Sequence, residues 1–136
     1  MSAGALANKL LLRPGHRIGL VNASPEFAAL LRPLPQAAEL TERLRPDLDC
    51  VVVFVRNAAE LRRYGTDASR SVKPDGLLWV CYPKGGSKAG TDLDRDVLWD
   101  LMSKTGLAGV SLVAIDDTWS AMRFRPADLV GARRGR

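Results

Sequence analysis

The chain has 136 residues, 46% hydrophobic and 26% charged, the size and balance of one ordinary globular domain. No apolar run approaches the roughly 20 residues that span a bilayer, and residues 1–9 lack the cationic and apolar regions of a secretory signal, so the expected location is the cytoplasm. The net charge of +5 is terminal: of 20 Lys and Arg, three fall in residues 133–136 and two at Lys9 and Arg13, and the remaining 15 face 15 Asp and Glu.

Residues 1–13 read as a helical or irregular lead-in with Leu6, Leu10 and Leu11 on one face, ended by the turn Pro14-Gly15. Residues 17–23 form a first strand. Ser24-Pro25 then places an N-cap before proline at the first helical position, with Phe27, Leu30 and Leu31 as the apolar face. Residues 37–40 read either as a short edge strand or as the start of a helix. Residues 48–55 are apolar on both faces and β-branched, hence a central strand. Asn57 and Glu60 have capping-box spacing, and the helix they open is weakened at Gly65. Pro74-Asp75-Gly76 turns into a strand over 77–82, which ends in the Gly/Lys/Ser loop 83–90.

Thr91 and Asp94 suggest a capped third helix carrying Leu93, Val97, Leu98, Leu101 and Met102 as one buried stripe, stopped at Gly106. Residues 111–115 and 119–125 flank Asp116-Asp117-Thr118 as an antiparallel hairpin. Strands alternating with helices predict a three-layer α/β/α Rossmann-like sandwich, mostly parallel, over residues 14–126. Residues 127–136 read as a disordered basic tail, able at most to touch phosphate weakly; nucleic acid and membrane are not expected partners of the body. Self-association stays open. Cys50 and Cys81 lie in apolar runs without CxxC spacing and read as buried, reduced thiols.

The stretch Leu11-Leu-Arg-Pro-Gly-His-Arg-Ile-Gly-Leu-Val21 resembles the lead into the first strand of class I S-adenosylmethionine-dependent methyltransferases. Val72-Lys-Pro-Asp-Gly-Leu-Leu-Trp-Val80 is similar to the turn before their fifth strand, and the helix, strand and hairpin of residues 92–125 fit the end of their fold. Tyr82-Pro-Lys84, Thr91-Asp-Leu-Asp-Arg-Asp-Val-Leu-Trp99 and Asp117-Thr-Trp-Ser-Ala-Met-Arg-Phe-Arg-Pro126 resemble an uncharacterised bacterial family of short Rossmann-like domains. The resemblance spans residues 6–126 and implies a fold without a function. The chain departs from methyltransferases after the first strand, where their Gly-rich cofactor turn is replaced by Asn22-Ala-Ser-Pro-Glu-Phe27. Glu39 is the candidate for the ribose-binding acid, and the chain is short by one βα unit. An intact S-adenosylmethionine site is therefore not expected.

Ligands of open α/β sheets sit at the carboxyl ends of the strands. This singles out Tyr82, Lys84, Lys88 and Thr91 in the Gly-rich loop, with Asp117 and Trp119 in the hairpin turn as a second candidate. Gly85 and Gly90 have P-loop spacing, but Thr91 stands where that motif needs lysine, and Asp92, Asp94 and Asp96 oppose a phosphate. Asp116-Asp117 reads as a turn pair, His16 as a residue at the start of a strand, and Arg123 and Arg125 as a solvated strand face. Trp79 and Trp99 read as core, Trp119 as partly exposed. No catalytic or metal-ligating set emerges. The function favoured is a non-catalytic module binding a small ligand or a protein; the alternative is an enzyme with a degenerate adenosylmethionine or nucleotide site.

Overall fold

The computed structural model describes residues 4–134. Segments β1 (Arg17–Val21), β2 (Glu39–Thr41), β3 (Leu48–Phe54), β4 (Val72–Pro83), β5 (Leu107–Ala114) and β6 (Trp119–Pro126) build one six-stranded sheet in the order β2-β1-β3-β4-β6-β5. The first four strands run parallel, whereas β6 pairs antiparallel with both β4 and β5. The chain expected as β-branched on both faces is the central strand β3. Val51 and Val53 point into one core cluster and Cys50, Val52 and Phe54 into the other, all at 5% exposure or less.

The first cluster is closed by α3 (Ala58–Ser71) and α4 (Arg95–Ser103), the second by α1 (Ala5–Lys9) and α2 (Pro25–Leu30). The sandwich expected from the alternation of strands and helices is therefore observed. Ser24 Oγ accepts from the Phe27 N–H and Asn57 Oδ1 from the Glu60 N–H, the two caps expected at these helix starts. Glu60 reaches back one residue further than a capping box requires, accepting from the Arg56 N–H at 2.7 Å. Among the described residues no helix is long and apolar enough to cross a membrane.

Several local expectations are corrected. The lead-in is part of the core: Ala7, Leu10 and Leu12 are buried and Leu11, with φ 65°, is turned out. α3 runs through Gly65, whose missing Cβ makes room for Leu61. Pro74-Asp75-Gly76 is an irregularity within β4, not a turn before it, because the register to β3 jumps from Leu48↔Val72 to Cys50↔Leu77. Residues 127–134 of the expected disordered tail form α5 (Ala127–Arg134), and 135–136 lie outside the described residues. Arg125 is held bidentately by Asp75 at 2.7 and 2.8 Å, and Arg123 is half-buried with its Nε enclosed, so the pair is not a solvated face. Trp99 is 44% exposed: it lies across Gly109, where a Cβ would stand 2.9 Å from its ring.

The cap of α4 is also displaced from the expected one. Asp94, not Thr91, is the N-cap, its Oδ1 accepting from the Val97 N–H at 2.9 Å. Asp94→Ala should lower stability by about 1 kcal/mol in chemical denaturation, while Asp94→Asn, which keeps the acceptor, should cost far less.

Candidate functional site

The parallel strands end on one side of the sheet, and the strand order reverses between β1, whose crossover leads to β2, and β3. An open α/β sheet leaves a crevice at such a point. Here its mouth is spanned by Asn22, the first residue after β1. Its backbone takes a left-handed φ of 58°, a conformation asparagine adopts more readily than most residues. Its Nδ2 donates to Phe54 O at 2.9 Å, at the end of β3, and to Glu60 Oε1 at 3.3 Å. A side-chain bridge thus stands where the resemblance called for a glycine turn.

Two concavities open beyond this bridge. One, of about 230 Å³, is lined by Asn22, Phe27, Phe54, Arg56, Asp116 and Trp119. The other, of about 870 Å³, lies between the ends of β3 and β4, against Arg56, Lys84, Thr91, Asp92, Asp117 and Trp119. Arg56 and Trp119 line both, as the wall the two share.

Each wall has a local cause. Phe27 and Phe54 meet edge-on at 4.5 Å and Phe54 and Trp119 at 5.0 Å, a ladder of rings that props the indole from the core side. Asp116 Oδ1 accepts from the N–H groups of Thr118 and Trp119, both at 2.8 Å, which fixes the turn as expected of a local Asp. The Gly-rich loop is a structured turn. Its 3-10 helix Gly86–Ala89 is bounded by Gly85 and Gly90 at φ 96° and 77°, values open to glycine. Thr91 Oγ1 donates to Arg56 O and accepts from the Leu93 N–H, and Asp92 Oδ1 accepts from the Ala58 N–H at 2.9 Å. These bonds clamp the loop onto the start of α3.

Of the six residues singled out in the sequence, Lys84, Thr91, Asp117 and Trp119 come together in the larger cleft. Lys84 is tethered rather than mobile, its N–H donating to Thr118 O at 2.8 Å and its Nζ to Asp116 O at 2.6 Å. Tyr82 does not line that cleft: it lies in the cluster with α4, where burial pushes its hydroxyl pKa up, and borders a neighbouring concavity of about 410 Å³ with Lys84, Asp94 and Arg95. Lys88 sits exposed on the 3-10 turn, away from the cleft lining. Glu39 pairs with Arg17 at the start of β1, the wrong end of the sheet for a ribose ligand; Glu42, just past β2, is at the correct end. It borders a further cavity of about 730 Å³ with Asn22, Ser24, Arg32 and Tyr64.

Arg56 was not foreseen. Its side chain is 68% exposed, and its guanidinium approaches Glu60 no closer than 3.9 Å, leaving donors directed to solvent. The signal was its place, directly after the central strand and before the Asn57 cap. Elsewhere the chemistry is quiet. Burial raises the pKa of both Cys50 and Cys81, so neither is a ready thiolate. His16 lies at the far end of the sheet, its Nδ1 accepting from the Arg13 N–H and its pKa lowered by burial. Among the described residues no three His, Cys, Asp or Glu are grouped to hold a metal ion.

Comparison with known proteins adds the fold and stops there. No family model and no curated protein matches the chain, so the resemblance to an uncharacterised short Rossmann-like family gains no support. Solved structures do match. A SAM-dependent methyltransferase from Aquifex aeolicus superposes with TM-score 0.52 at 12% identity, over 88% of this chain and 86% of that one. The fold is methyltransferase-like. A possible exported protein from Bordetella parapertussis reaches TM-score 0.60 at 11% identity, over 89% of this chain. A tRNA methyltransferase from Aquifex aeolicus gives 0.50 at 12% identity, over 88%. The chain spans 66% of the length of each of these two.

Proposed function

We propose that this methyltransferase-like domain is a cytoplasmic binding module for a small ligand, seated between the ends of β3 and β4, and that it transfers no methyl group. The observation that carries the reading is the shared wall of Arg56 and Trp119: an exposed guanidinium and a propped indole line the same opening, while Asn22 bridges the crevice beside it. Such a wall suits a planar molecule with one anionic group, since the guanidinium offers paired donors and the indole a stacking face. A thermal-shift screen of aromatic carboxylates and nucleotides should find saturable stabilisation that grows with the logarithm of ligand concentration. Arg56→Ala and Trp119→Ala should each weaken the best ligand at least about tenfold, near 1.4 kcal/mol. A ligand bound equally by both variants would refute the assignment.

Glu42 favours a second reading, an enzyme with a residual nucleoside site in the cavity between β1 and the loop after β2. A carboxylate just past the second strand can accept from ribose hydroxyls. Under that reading Glu42→Gln, and neither cleft variant, would abolish nucleoside binding.

A further inference from the structure

The two edges of the sheet are built differently. The β2 edge is three residues long and begins with the exposed Glu39, the short, charged form in which soluble proteins blunt an edge. The β5 edge is eight residues long, Leu-Ala-Gly-Val-Ser-Leu-Val-Ala, without a charge or a proline. It is protected by the irregularity between Gly109 and Ser111 and, near its start, by α5, which leaves residues 111–114 as continuous strand. Beside this edge the apolar surface is open: Val110 is 38%, Leu112 47% and, on α4, Trp99 44% exposed.

We infer that β5 pairs antiparallel with β5 of a second copy of this chain, on a two-fold axis at Leu112, joining two sheets into one of twelve strands. Self-pairing is favoured over a foreign strand by charge. A strand that bears no charge faces itself without repulsion. A two-fold also lays the start of one β5, where Lys104 is paired with Asp100 at 3.4 Å, against the end of the other, flanked by Asp116 and Asp117; a parallel arrangement would set the four aspartates together. Leu112 lies on the face packed by α4, in register with Met122. The axis therefore sets the two Leu112 side chains as direct cross-strand neighbours, with both Trp99 rings on the same side. Main-chain hydrogen bonds between the two edges supply the register, as in strand addition generally.

Sedimentation equilibrium of the whole chain should give twice the 14.8 kDa chain mass, and hydrogen exchange should show the β5 amides protected. Leu112→Lys and Leu112→Glu, each placing like charges directly opposite, should each be monomeric with an unchanged far-UV circular dichroism spectrum. Mixing the two variants should restore the dimer, because the axis makes residue 112 its own partner. A wild-type chain that stays monomeric at about 100 μM, where a micromolar association would be nearly complete, overturns the inference. So does a Lys variant that remains dimeric, or a mixture of folded variants that fails to associate.

Discussion

Trp79→Ala should destabilise the domain by about 3–5 kcal/mol, a large part of what a chain of this size has to lose. The indole is 1% exposed on β4 and fills the cluster between the sheet, α1 and α2. Its Nε1–H donates to Leu10 O at 3.0 Å, so it also holds the carboxyl end of α1 against the sheet. Trp79→Phe separates the two contributions. It keeps most of the apolar volume but leaves a buried carbonyl without its donor, for about 1–2 kcal/mol. Urea denaturation reads both values, and hydrogen exchange should show α1 opening first in the Phe variant. Equal costs for the two substitutions would mean that the apolar volume contributes nothing beyond the hydrogen bond.

Asn22→Ala should cost about 2 kcal/mol, more than the loss of an ordinary exposed side chain. Alanine keeps the left-handed backbone but at a steric cost, and it removes the donor to Phe54 O. Asn22→Gly relieves the backbone and loses the bridge alone, for about 1 kcal/mol. The difference between the variants, read by denaturation, isolates backbone strain from the bridge. If both cost nothing, the bridge does not hold β1 to β3.

The fold was legible wherever a local rule had no competitor. Ser24 before Pro25, and Asn57 three residues before Glu60, mark helix starts whose caps form as expected. Residues 48–55 could be nothing but a central strand, because both faces are apolar. What escaped depended on partners distant in sequence. Thr91 has the chemistry of an N-cap, but Arg56 O captures its hydroxyl, and Asp94 takes over the cap. Trp99 adjoins the apolar stripe of α4, yet the ring is half outside because Gly109 offers a groove on the outermost strand instead of core. Tyr82 and Lys84 are two residues apart, which alternation alone would set on one face. But β4 ends at Pro83 and Lys84 Nζ is drawn to Asp116 O, while Tyr82 stays in the cluster with α4.

The Gly-rich loop and the hairpin turn were read as two alternative sites, and the structure sets parts of both along one cleft. Lys84, Thr91, Asp117 and Trp119 meet because β4 and the hairpin turn end side by side, as the strand-end rule anticipates. Arg56 was not singled out because it belongs to no motif, and Asn22 was read only as part of the segment that replaces the cofactor turn. Their role follows from which strands are neighbours, and the β1–β3 pairing is not written in any local pattern.

The proposal that this methyltransferase-like fold holds no S-adenosylmethionine is tested most directly by calorimetric titration with that cofactor. The bridge of Asn22 to Phe54 predicts no saturable heat up to about 1 mM ligand, a ceiling near 4 kcal/mol of binding free energy. Micromolar binding, lost on Glu42→Gln and untouched by Trp119→Ala, would contradict the account and show that the crevice works as an enzyme's cofactor site.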